Sequence, residues 1–143
     1  MADIALTAAQ IAAVYPQKAD IKPYIAVETI TAGQAVYFTS AGKVGIADAN
    51  AAGKQQFRGI ALNGGAAGQE IDVLHEGEVS GFTVSSLNAD ALLYLSDNAG
   101  SLADAAGTMS VIVGRVKALS NTLSDGTHTK VVRISTRWDG NWS

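Results

Sequence analysis

Short apolar runs, broken about every eight to twelve residues by Gly, Asn, Asp or Ser, predict an all-β fold over residues 26–136. A weak internal repeat refines this to two related modules, about 27–80 and 81–136, joined in a compact β-barrel or sandwich. The first 25 residues carry both prolines of the chain and a different pattern, so they read as an N-terminal arm with at most one short helix. Residues 137–143 follow the last predicted strand as a C-terminal tail.

Taken in order, Thr7 offers an N-cap to the helix-forming run Ala8 to Tyr15, and Pro16 closes it. A helix of about two turns is marginal alone, so Leu6, Ile11 and Val14 require another surface to cover them. Pro16 and Pro23 bracket Gln17 to Lys22 and favour an extended path. Strands are then expected at 24–30, 35–39, 43–47, 57–62, 70–75, 79–84, 91–95, 111–118 and 130–136. Alternation is clearest at 70–75, where it predicts Ile71 and Val73 inward and Glu70, Asp72 and Leu74 outward. In the last strand Val132 and Ile134 share one face, and Val131 and Arg133 the other.

The repeat aligns Ile30-Thr31-Ala32-Gly33-Gln34-Ala35-Val36-Tyr37 with Leu87-Asn88-Ala89-Asp90-Ala91-Leu92-Leu93-Tyr94, at an offset of 57. Ile46-Ala47-Asp48-Ala49 returns as Leu102-Ala103-Asp104-Ala105 at offset 56, and Phe57 to Ala61 as Ile112 to Val116 at offset 55. Ile71 to Leu74 corresponds to Val131 to Ile134 at offset 60, the shift falling in the loop Ser120 to His128. Four matches in one order, with slowly drifting offsets, argue for a duplicated unit of strand, turn, strand, loop, strand, loop and strand.

Composition narrows the function classes. The chain has 143 residues, enough for one domain that buries a core of its own. Its 48% hydrophobic content includes 25 alanines, leaving about 43 large apolar side chains, and only 16% of residues are charged. A net charge of −3 with no basic run disfavours binding to a phosphate backbone, so no nucleic-acid partner is expected. The absence of cysteine removes disulfides, thiolate nucleophiles and cysteine zinc sites. No apolar stretch approaches the length of a membrane span, and Asp3 stands where a signal peptide favours Lys or Arg; a soluble chain without a membrane partner is expected.

Residues that could carry chemistry are few. His75 and His128 have no second ligand at metal-binding spacing. Glu70, Asp72, Glu76 and Glu78 share one parity, which predicts an outward face where carboxylates give solubility and charge complementarity. Asn63 to Gly68 lacks the Lys-Ser/Thr of a phosphate loop, and Asp97, Asn98 and Asp125 lack the alternating pattern of a calcium loop. No catalytic, metal or cofactor site is predicted. Trp138 and Trp142, the only tryptophans, are of the type that anchors protein interfaces, so they join Leu6, Ile11, Val14 and Tyr15 as candidate contact residues toward a partner or a neighbouring subunit.

The modules Ile30 to Tyr37, Gly42 to Ala47, Arg58 to Leu62, Ala67 to Val73 and Glu76-Gly77 resemble the small β-rich capsid decoration, or cement, proteins of tailed bacteriophages. The resemblance spans about residues 27–136 and rests on a rhythm of "AGQ…VY", "G(I/V)A" and "G…I.V…G" elements. It implies a structural virion protein on the outer capsid surface, made in the host cytoplasm, that clamps adjacent major capsid subunits as a homotrimer. The arm and the Trp-bearing tail depart from the pattern. Two other classes compete with it: a carbohydrate- or receptor-binding β-module using Trp138, Trp142 or Tyr94 as a platform, and a small hydrolase drawing an acid/base pair from Glu70, Asp72, Glu76, His75 and His128. Decoration ranks first, since no catalytic constellation is legible.

Overall fold

The computed structural model describes residues 3–124, 126 and 128–136. The fold is all-β: among the described residues ten strands form one antiparallel sheet that curls into a half-barrel. The strands are β1 (Ala12–Ala13), β2 (Asp20–Ile25), β3 (Ala35–Phe38), β4 (Val44–Ile46), β5 (Gly59–Ala61), β6 (Glu70–Ser80), β7 (Leu92–Leu95), β8 (Leu102–Ala103), β9 (Ile112–Thr122) and β10 (His128–Ser135). The spatial order is β4-β3-β5-β6-β10-β9-β7-β8, with β1 and β2 also paired to β6.

The two halves are built alike. β3 pairs with β4 and β5, and β5 pairs with β6; β7 pairs with β8 and β9, and β9 pairs with β10. The register agrees where β3 meets β5 and β7 meets β9: Ala35↔Ile60 and Val36↔Gly59 in the first half stand where Leu92↔Arg115 and Leu93↔Gly114 stand in the second. The other two pairings slip against the repeat: Tyr94 pairs with Ala103 where Tyr37 pairs with Gly45, and Arg115 with Arg133 where Ile60 pairs with Leu74. Backbone bonds between strands repeat too, with Ala61 N–H donating to Gln34 O at 2.9 Å and Val116 N–H to Ala91 O at 2.9 Å. At the turn before β3 the chain takes a positive φ of 91° at Gly33. At the matching place before β7 it takes 70° at Asp90, whose short polar side chain tolerates that conformation.

β6 joins the halves. Residues 73–74 pair with β5 and residues 76–79 with β10, while the other edge takes β2 and β1. The runs 70–75 and 79–84, expected as two strands, begin as one continuous element because Gly77 is buried within it instead of opening a turn. The pairing with β2 steps from Ile21↔Leu74 to Asp20↔Glu76, a bulge that skips His75. One extra residue flips the alternation, so Leu74 and Val79 both enter the larger core cluster although they are five positions apart. Leu74 is therefore buried and not outward, and Glu70 and Asp72 do not share a face with Glu76 and Glu78.

The first 25 residues are not a free arm. Ile4 and Ile11 sit in the larger core at 8% and 7% exposure, and Leu6 packs against it. Residues 3–6 tie the last strand of the sheet back to the chain beyond β6, through bridges Asp3↔Ala103 and Leu6↔Phe82 and the bond from Ile4 N–H to Leu102 O at 2.8 Å. The Asp3 carboxylate accepts from Ser96 Oγ and Asn98 Nδ2 and fixes that end. The surface that the apolar residues of this segment require is this chain's own core. The expected helix shrinks to a 3-10 turn, Ala8–Gln10, because β1 begins at Ala12 and claims the backbone for the sheet. A smaller cluster around Ile30, Val36, Ile71 and Val73 fills the first half; Ala26, just past β2, bridges to Val44 and closes it.

Candidate interaction surface

Of the residues expected to make contacts, Ile11 is committed to the interior, Leu6 is half-buried against the core, and Val14 is half-buried, its N–H bonded to Glu78 O at 2.9 Å. Tyr15 stays 45% exposed. Trp138 and Trp142 lie outside the described residues.

Tyr15 opens onto a charged face that the sequence reading did not assemble. Glu78 of β6 and Arg133 of β10 are direct cross-strand partners, and Arg133 is opposite Arg115 of β9. The Glu78 side chain is only 7% exposed, yet it accepts from Arg133 Nη1 at 3.0 Å and meets Lys117 Nζ at 3.3 Å. Arg133 also approaches Glu76 at 4.0 Å, and Arg115 pairs with Asp90 at 3.4 Å. Tyr15, Lys18, Glu78, Lys117 and Arg133 line a hollow of about 300 Å³. Beside it, Val14 to Lys18 line a second hollow of about 260 Å³. The 3-10 turn Pro16–Lys18, with proline at its first position, shapes the wall that both share.

Burial alone would push the Glu78 carboxyl up, but hydrogen bonds and charge from Arg133 and Lys117 outweigh it and hold the carboxyl below its usual value. A carboxylate lowered in the folded state adds stability that is fully present above its unfolded pKa and is lost as pH falls through the folded one. Glu78→Gln should therefore destabilise by about 1.5 kcal/mol at neutral pH, since the cationic partners remain half in water. Its loss of stability below about pH 4.5 should be shallower than that of the parent. Urea midpoints measured against pH for both proteins check this, and parallel curves would refute the assignment.

The other titratable candidates are scattered. Glu70 and Asp72 are exposed at one end of β6. His75 is buried, with Nδ1 against Arg58 O and Nε2 2.9 Å from the Tyr24 hydroxyl. A carbonyl can only accept, so Nδ1 carries the proton and, in the neutral ring, Tyr24 donates to Nε2. Phe38 completes this packing, its ring 4.9 Å from Tyr24 and 5.9 Å from His75. His128 is exposed on β10 and bonds within its own hairpin. Among the described residues no three His, Cys, Asp or Glu side chains gather as metal ligands.

No protein-family model and no curated protein sequence matches this chain.

Proposed function

We propose that the chain is a structural virion protein that decorates the outer surface of a tailed-phage capsid and cements it by bridging major capsid subunits as a homotrimer. The observation that supports this reading is the duplicated unit. One segment that carries the resemblance to decoration proteins recurs at an equivalent place in the other half: Ala35 and Val36 of β3 stand against β5 as Leu92 and Leu93 of β7 stand against β9. A rigid all-β body with charged groups held in cross-strand pairs suits a part that must present fixed surfaces to a lattice.

Cementing acts by mass action. A protein that binds only the assembled shell stabilises it at each site by RT ln(1 + [L]/Kd), about 2.7 kcal/mol at a hundredfold excess over Kd. Many sites make the total large. Purified chain mixed with expanded, undecorated shells should bind saturably and raise the temperature at which the shells open. Shells that stay bare at concentrations far above physiological would overturn the reading. Light scattering at several concentrations tests the trimer separately.

A further inference from the structure

We propose that the two adjoining hollows around Tyr15 and Lys18 form a binding site for an acidic peptide segment, one that carries a carboxylate next to a large apolar side chain. The donors set the class of ligand. Glu78 holds Arg133 and Lys117 in fixed positions, and Arg133 is further engaged by Glu76. An ammonium has three N–H groups, and Lys117 directs one of them at Glu78. Lys18 lines the same hollow and takes part in none of the ion pairs Lys22–Asp20, Arg115–Asp90, Lys117–Glu78 or Arg133–Glu76/Glu78. Of the residues that line it, Lys18 and Lys117 carry ammonium donors and Tyr15 a hydroxyl that an entering anion can use.

The second hollow sets the rest of the ligand. Val14, Tyr15, Pro16, Gln17 and Lys18 line it, a mainly apolar slot that adjoins the cationic one through Tyr15 and Lys18 themselves. A free phosphate or acetate would use only one compartment. A peptide with Glu or Asp beside Leu or Phe uses both, and its charge complements a basic face on a chain whose net charge is −3.

The test is a titration of the isotopically labelled full chain with the blocked dipeptide amides Glu-Leu, Gln-Leu and Glu-Ala, followed by backbone amide shifts. Glu-Leu should move Tyr15, Lys18 and Lys117 saturably, and Gln-Leu and Glu-Ala should each bind about tenfold more weakly. Lys18→Gln should weaken Glu-Leu by a similar factor without changing the melting temperature, and added salt should weaken it further. Equal shifts with Gln-Leu, shifts elsewhere on the surface, or no saturable shift would overturn the proposal. No shell enters this experiment, so its failure leaves the decoration reading standing, and bare shells leave the peptide site standing.

Discussion

Removing residues 3–13 should lower the unfolding free energy by on the order of 5 kcal/mol and the melting temperature by roughly 15 °C or more. Three losses add. Ile4 and Ile11 leave the larger core, and each such side chain fills space that the remaining strands cannot close. The bridges from Asp3 to Ala103 and from Leu6 to Phe82 disappear, so β8 becomes an open edge. Finally, β6 loses β1, and Ser80 Oγ loses the carbonyls of Gln10 and Ala12 that it donates to. The double variant Ile4→Ala, Ile11→Ala separates core filling from backbone pairing and should recover most of the effect. A truncated protein that melts with the parent would mean that the segment is an arm after all. The outcome bears on function, because a segment consumed by its own core cannot also lie along a neighbour without unfolding part of the body.

The strands from β3 to β10 were legible wherever alternation and turn residues spoke together, as at 35–39, 43–47, 91–95 and 111–118. Three features were not, for physical reasons. The N-terminal segment reads as helix by local propensity, and only the tertiary partners Phe82, Ala103 and Val79 make it a strand. Gly77 reads as a turn, but its φ of 138° serves a strand that bends, and a Cβ there would come within 2.8 Å of Ala19 Cβ. The two-residue β8 is too short to show a period of its own. The charged face was harder still. Tyr15 is legible only as one of the N-terminal contact candidates, and Lys18, Glu78, Lys117 and Arg133 come from four separate stretches of chain. The β6-β10-β9 pairing brings Glu78, Arg133 and Lys117 together, the pairing of β1 and β2 with β6 adds Lys18, and the bulge at His75 decides that Glu78 shares that face.

Gly114→Ala should be the most damaging single substitution of those considered, with a loss exceeding about 3 kcal/mol. A Cβ built on Gly114 lies 1.9 Å from the carbonyl oxygen of Arg133, far inside any tolerated contact. The obstacle is backbone, so no side chain can rotate away, and relief requires β9 and β10 to separate where Gly114 pairs with Ile134. The like pairing of β3 with β5 and β7 with β9 supplies an internal control. Gly59 holds the matching register against Val36, and its Cβ would lie 2.5 Å from Leu74 O on β6. Gly59→Ala should then be severe for the same reason, and somewhat milder because the overlap is smaller. Gly53 and Gly42 have no atom within 4 Å of a built Cβ, so alanine there should cost only the left-handed backbone penalty of about 1 kcal/mol. Urea unfolding of the four variants gives the order directly: Gly114, then Gly59, then Gly42 and Gly53 together. If Gly114→Ala unfolded with the loop variants, the close pairing of β9 and β10 would be wrong, and with it the placement of Arg133 against Glu78, since both rest on the same register.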